Sequence, residues 1–570
     1  MISLAFLSYL TTGFTTVSIG VDVGTGSARA GVVDVSTGAL LAVKKQNIKT
    51  WSPIAEHHQQ SSEDIWDACA ACVRGALAEA GNDLKVAGVG FDATCSLVCL
   101  DEKNAPVGTD PTEPDDDARN IILWMDHRAT PQADAINAMG HERLSTVGGT
   151  ISPEMEIPKI TWLREKMPGA FSRVDKGGKF LDLADFLAYR ATDYKRDVRS
   201  LCTVVCKWAY DANADGTGLG WDRSFLSEVG FGEAELLPSV IGSDVQAPGV
   251  QIEGGLGESA ASSFGLPVGT PIAVGMIDAH AGGIGCLGAT LPTPSSEQPP
   301  LTARIALIAG TSTCHMASSS APTFVPGVWG PYYSAMLPNL YLNEGGQSAA
   351  GALIDFVIES HAAYEELKGL ADAENVPPTI YLNKRLEEMA AEAGEANVAT
   401  LASQVHVTPD FIGNRSPLAD PLMKGGIVGL PMSSRLDDLA RVYLATVQAL
   451  AYQTKAIIEA LGYTDPPISS VVACGGLAKN PLYVSTHADV LGLEIHTPVQ
   501  EEAVLLGAAI LGAAAGGAHD SVEEAMGKMS AIGDTCAPEG GEAVAAFHEK
   551  KYNVFRKMSD DQREYRRMMA

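Results

Sequence analysis

The sequence predicts an α/β protein built from two large domains that face each other across a cleft. Three observations carry this expectation. The chain has 570 residues, 46% of them hydrophobic, which is too long for a single core and too apolar for disorder. Its start, VSIGVDVGTGSARAGVVDVSTGALLA from Val17, reads as strands around a Gly-Thr turn, and the idea returns in TARIALIAGTSTCHMASS from Thr302. Between them lies LPTPSSEQPP, residues 291–300, with the composition of a linker. The expected domains are therefore 17–290 and 301–555, after an unassigned N-terminal extension (1–16) and before a C-terminal helical tail (556–570).

Along the chain, MISLAFLSYLTTGFTTV is apolar and uncharged, without the basic start of a signal peptide or the arginines of a presequence. Two readings stay open for it: an extension ahead of the first strand, or a targeting segment. No other stretch is suited to span a membrane. SSEDIWDACAACVRGALAEA reads as a helix, so Cys69 and Cys72 are expected as ordinary buried cysteines of a reducing compartment. VAGVGFDATCSLVCLD reads as strand, turn, strand. VGTDPTEPDDDARN is an acidic surface loop. Residues 360–400 read as a helical excursion broken at Pro377-Pro378, and ISSVVACGGLAKNPLYVSTHADVLGLEIHTP as strand, Gly-Gly turn, helix, strand. The charged tail from Phe547 reads as a helix with a solvated face.

The net charge is −29, from 40 Lys+Arg against 69 Asp+Glu. Such a surface repels nucleic acid and anionic membranes. A polyanion such as ATP must be met by local donors and Mg²⁺.

The residues that suggest chemistry follow this frame. Asp278, in VGMIDAHAGGIG, ends an apolar run ahead of small residues. It is a candidate general base for a hydroxyl, and equally a helix cap. Gly310-Thr311-Ser312-Thr313 is a candidate clamp for phosphates, as is Gly24-Thr25-Gly26-Ser27 after Asp22. Asp22 and Asp278 are candidates to hold Mg²⁺ through water. Arg29 stands near enough to help place the phosphates, or to form a surface ion pair. Gly475-Gly476 lets backbone approach a planar ligand, with Asn480 as partner for ribose or base. Together these parts suit phosphoryl transfer from ATP.

In this order the set resembles the FGGY carbohydrate kinases, of the sugar kinase/Hsp70/actin fold with ribonuclease H-like domains. GNRSPLADPLMKGGIVGL, from Gly413, is similar to the family's second-domain signature. WMDHRA from Trp124, RSLCTVVCKW from Arg199, FVPGVWGPYYSAM from Phe324 and NEGGQSAAG from Asn343 resemble the ribulokinase-like branch, and within it the D-ribulose kinases. The resemblance implies that Lys207, Asp278 and Glu344 hydrogen-bond a ketopentose, with backbone near Cys95 closing the site. It also implies sugar on the first domain and ATP against the second. Trp124 and Asp126 are candidates for the sugar pocket, although Asp126, His127 and Arg128 equally suit a structural ion-pair cluster. Gln347 and Ser348 are expected to orient Glu344 or cap a helix.

The expected activity is ATP- and Mg²⁺-dependent phosphorylation of D-ribulose to D-ribulose 5-phosphate in the cytoplasm, with a homodimer left open. Within the class the alternative is an L-ribulose, D-xylulose or polyol kinase. Outside it, the alternative is a nucleotide-gated binding protein on the same fold.

Overall fold

TTVSIGVDV forms strand β1 (Thr15–Val23), in which Val17, Ile19, Val21 and Val23 are fully buried. The residues between them are buried too, as in a central strand covered on both faces. The computed structural model describes residues 14–213, 220–292 and 297–569; most of the N-terminal extension and part of the Pro/Ser-rich linker fall outside these. After β1 the chain turns through Gly24–Gly26 into β2 (Ser27–Asp34) and β3 (Leu40–Asn47). Helix α1 (Ser62–Ala80) leads to β4 (Leu84–Ala93), which runs parallel to β1, and then to β5 (Leu97–Leu100). Cys69 and Cys72 are buried, unbridged residues of α1. Much later come helix α2 (Leu201–Lys207) and the short strand β6 (Met276–Ile277), parallel to β4. Helix α3 (Asp278–Leu287) starts where β6 ends. The sheet order is β6-β4-β1-β2-β3.

The second half repeats this plan. Strands β7 (Arg304–Ala309), β8 (Thr313–Ser319), β9 (Trp329–Tyr333) and β10 (Tyr341–Gln347) form antiparallel pairs. Helices α4 (Gly351–Glu359), α5 (Tyr364–Glu374) and α6 (Pro378–Ala393) follow, and the break between the last two falls at Pro377 as read from the sequence. The long α7 (Leu436–Leu461) precedes β11 (Ser470–Cys474), which lies parallel to β7. Then come α8 (Pro481–Leu491), β12 (Ile495–Pro498), α9 (Ala503–Ala515), β13 (Ile532–Cys536) and α10 (Gly541–Met569). This sheet has the order β9-β10-β8-β7-β11-β12-β13. In each half an antiparallel hairpin is followed, after a helical crossover, by a strand parallel to its first arm.

Each half has a buried cluster of its own, and a further cluster takes Val33 and Ile284 from the first half and Ala306 and Leu506 from the second. The cause is α9, which packs on β1, β4 and α3. Small residues allow very close approach there. A Cβ on Gly285 would lie 1.9 Å from the Ala503 carbonyl oxygen, and one on Gly507 2.0 Å from that of Ala281. The small-residue run after Asp278 is thus a helix-packing surface. The charged tail is a helix whose other face is packed. Val544, Tyr552 and Phe555 of α10 are buried, the two aromatics against Tyr452 of α7, and Arg566 donates to Asp420 at 2.8 Å.

Candidate active site

Strand register brings three carboxylates to one place. Asp22 on β1 is level with Asp92 on β4, and Asp92 is level with Met276 on β6. Asp278, the first residue of α3, therefore stands just past the same sheet end. Its carboxylate accepts from the Ala279 N–H at 2.7 Å. Burial raises the Asp278 carboxyl above its usual range, against the opposing pull of that hydrogen bond, His280 and Lys207. Burial also pushes Asp22 up to about 6, although Arg29 works the other way. Asp92 is pushed up strongly by burial and by the charges of Asp22 and Asp278. Both Asp92 oxygens are buried and, among the described residues, meet no N–H or hydroxyl donor, only the neighbouring Asp22 carboxyl. Acidic groups so placed call for a proton or a cation.

Beside this cluster lies a cavity of ≈ 250 Å³, bounded by both halves of the chain. From the first half come Thr25, Cys95, Trp124, Glu154, Lys207 and Asp278; from the second, Gly310, Ser312, Cys314, Trp329, Glu344 and Arg415. The Lys207 ammonium sits 4.2 Å from the Trp329 ring centre, and the Arg415 guanidinium 5.7 Å from it. Glu344 Oε2 pairs with His280 Nε2 at 3.3 Å. Burial disfavours the Glu344 carboxylate, but Lys207 and His280 outweigh it and hold the carboxyl down at about 2. Glu154 is likewise held at about 2, where Arg415, at 3.2 Å, and His127 overcome its burial. The Trp124 indole N–H donates to the Thr25 hydroxyl at 3.0 Å, which fixes the ring as a wall. The cavity thus offers fixed charges of both signs and two indole faces. Its volume suits a polyol smaller than a drug-sized ligand.

Packing among the described residues does not explain the glycines of the two hairpin turns. A Cβ at Gly24, Gly26 or Gly310 would meet no described atom nearer than 3.8 Å, and none of the three has a positive φ. Space kept free beside Thr25 and Ser312 is what a phosphate cradle requires.

Residues 17–285 match the N-terminal domain of the FGGY family of carbohydrate kinases, and residues 305–516 match its C-terminal domain. The chain belongs to the FGGY family. It is a phosphotransferase whose acceptor is a carbohydrate hydroxyl. An FGGY carbohydrate kinase domain-containing protein of Homo sapiens is 47% identical, covering 97% of this chain and 97% of that one. A D-ribulokinase of Saccharomyces cerevisiae is 38% identical, covering 89% of this chain and 73% of that one. Among solved structures, xylulose kinase from Rhodospirillum rubrum superposes with a TM-score of 0.76 at 20% identity, covering 96% and 99% of the two chains. Glycerol kinase from Plasmodium falciparum with ADP gives 0.75 at 14%, again over 96% and 99%. At these identities the superpositions establish the two-domain actin-like fold.

Within this FGGY kinase, several residues singled out from the sequence sit elsewhere. Asp126 is fully buried, and its oxygens accept from the His58 N–H and from the Arg128 backbone and guanidinium. It is a structural anchor with no capacity left for sugar. Asn480 caps α8 at the Leu482 N–H, donates to Tyr443 and accepts from Asn383, the bonding of a helix-end residue. Thr313 is fully buried in β8. Ser27 is buried at the start of β2, where its carbonyl accepts the Gly24 N–H. Arg29 bonds Glu502 at 2.8 Å and lies 3.6 Å from Asp22, which matches the ion-pair reading. Gly475 has φ 91°, and a Cβ there would lie 2.5 Å from the Ala309 carbonyl oxygen. It serves the packing of β11 against β7, while Gly476 has open space at its α-carbon. Gln347 donates to the Leu450 carbonyl rather than to Glu344, and the start of α4 has no side-chain cap.

Sequence reasoning passed over Asp92, Glu154, His280, Cys314, Trp329 and Arg415. Trp329 and Arg415 lie inside segments quoted for their family resemblance, which was the one signal available for them. Glu154 and Asp92 had none beyond residue type.

Proposed function

We propose that this kinase transfers the γ-phosphoryl group of MgATP to the terminal hydroxyl of D-ribulose, giving D-ribulose 5-phosphate. The observation that carries the reading is the position of Asp278 at the lip of a small cavity whose other walls hold Lys207 and Glu344. The 38% identity to a D-ribulokinase supports the choice of sugar.

In this reading Asp278 accepts the proton of the attacking hydroxyl as the loose transition state collapses. Its raised affinity for protons suits that task. Lys207 donates to the carbonyl or a hydroxyl of the ketose. Glu344, kept ionised by Lys207 and His280, accepts from hydroxyls, and the indoles of Trp124 and Trp329 cover the apolar faces of the sugar. The turns at Gly24–Gly26 and Gly310–Ser312 supply N–H and hydroxyl donors to phosphate oxygens. Asp22, Asp92 and Asp278 fit a hydrated Mg²⁺, the facing carboxyls of Asp22 and Asp92 and the absence, among the described residues, of a donor other than a shared proton being the observation in favour. Bound there, Mg²⁺ would neutralise phosphate charge. Water is kept from the reacting hydroxyl by walls drawn from both halves, which favours transfer over hydrolysis.

A non-catalytic, nucleotide-gated role is disfavoured by the same cavity, because it joins an acid–base group to a charged polyol pocket. A cytoplasmic location belongs to the proposal. Among the described residues no helix is long and apolar enough to cross a membrane. The experiment that tests the reaction is analysis of the product from D-ribulose, ATP and Mg²⁺ by ³¹P–¹H correlation. Phosphorus coupled to the C5 protons is expected. Coupling to the C1 protons, or inorganic phosphate as the sole product, defeats the assignment.

A further inference from the structure

Behind the sugar-facing wall lies a group that phosphoryl transfer does not use. Cys202 and Cys206 stand one helical turn apart on the same face of α2, and His280 stands opposite them on α3. All are buried, with exposures of 0%, 1% and 0%. Cys202 Sγ is 2.9 Å from His280 Nδ1, and the ligand atoms of the three residues lie within 4.8 Å of one another.

We propose that Cys202, Cys206 and His280 form a binding site for a thiophilic divalent ion of the Zn²⁺ class. Two thiolates and an imidazole are a donor set that selects such ions over Mg²⁺. The surroundings fit as well. The Ile277 N–H is directed at Cys202 Sγ at 3.5 Å, which stabilises sulfur as an anion. His280 Nε2 faces Glu344 at 3.3 Å, so Nδ1 is left as the ligand and the carboxylate orients the ring. A carboxylate on the far nitrogen is the usual support of a metal-bound histidine. With Zn–S bonds of about 2.3 Å and a Zn–N bond of about 2.0 Å, tetrahedral ligands stand about 3.5 Å apart. The Cys202–His280 separation then opens by less than about 1 Å. Three protein ligands leave the fourth position to water or to an added thiol. The site also touches the sugar pocket at two points. Lys207 follows Cys206 directly, and His280 holds Glu344.

The test uses the full chain, reduced and metal-free, without sugar or ATP, so its outcome is separate from that of the kinase reading. Titration with Co²⁺ is expected to give one equivalent with thiolate-to-metal charge-transfer absorption and visible bands of tetrahedral intensity, displaced by Zn²⁺. Both signals should vanish in Cys202→Ser/Cys206→Ser. X-ray absorption on the Zn²⁺-loaded wild-type protein needs no variant, and should show two sulfur ligands and one nitrogen ligand. Absence of thiolate–cobalt absorption in the wild type, its persistence in the double variant, or a zinc shell with fewer than two sulfurs overturns the proposal.

Discussion

Arg415 reaches across the cleft and bonds Glu154 at 3.2 Å, joining residues 261 positions apart in the chain. Their side chains are 15% and 13% exposed, so the pair is nearly dry. Burial alone would raise the Glu154 carboxyl; Arg415, His127 and Lys207 instead hold it at about 2. A carboxyl depressed on folding adds stability above its unfolded pKa of about 4.3, and that contribution fades as pH falls toward the folded value. Arg415→Met should therefore destabilise the protein at pH 7 by on the order of 3 kcal/mol, because it strands a buried charge. The gap to wild type should narrow between about pH 5 and pH 2. Urea denaturation across that range decides the point. A gap independent of pH would mean that Glu154 is not held ionised by Arg415.

Asp278→Asn keeps the shape of the α3 start and removes proton acceptance. A fall in kcat of at least ~10²-fold is expected, with little change in ATP affinity. In the wild type, kcat/KM should rise with pH through a pKa above that of an ordinary aspartate, the direction set by burial of Asp278. Retention of most turnover in the folded variant would remove Asp278 as the base.

Lys207→Ala and Glu344→Ala should each raise the sugar KM far more than the ATP KM. Each leaves an opposite charge unpaired in a buried pocket, a loss of several kcal/mol and so ~10²-fold or more in kcat/KM. An unchanged sugar KM in both would take these residues out of the pocket.

The glycines separate by mechanism. Gly310→Val fills space that no described residue occupies. Its melting temperature should stay close to wild type while the ATP KM rises at least ~10-fold. Gly475→Ala meets a backbone at φ 91° and the Ala309 oxygen at 2.5 Å. It should lower stability by more than ~1 kcal/mol. Calorimetric melting and ATP kinetics on the two variants test the contrast, and the same stability loss in both contradicts it.

Local strings made much of the fold legible. The strand-turn-strand pattern from Val17 and its return at Arg304 became the two matching hairpins, and Pro377 marked a real helix break. Asp278 was named from its own string, Lys207 and Glu344 only through the family resemblance, and folding brings the three to one cavity. Arg415 and Glu154 were not named, because the signature around Arg415 does not single it out, Glu154 has no local pattern, and their pairing exists only in three dimensions. Asp92 went unnoticed inside FDATC, since its meeting with Asp22 depends on parallel register. Asp126 and Asn480 stayed ambiguous for a related reason. Asp126 suits a ligand or an ion pair, Asn480 a ligand or a helix end, and only the observed partners show which.

The central claim is the substrate, and kcat/KM for ADP release across a set of acceptors tests it most directly. Lys207, Glu344 and Asp278 together engage a carbonyl, secondary hydroxyls and a terminal hydroxyl, which glycerol is too short to satisfy. D-ribulose should give the highest value, with L-ribulose or ribitol slower and glycerol near background. A higher kcat/KM for D-xylulose or glycerol than for D-ribulose would contradict the account.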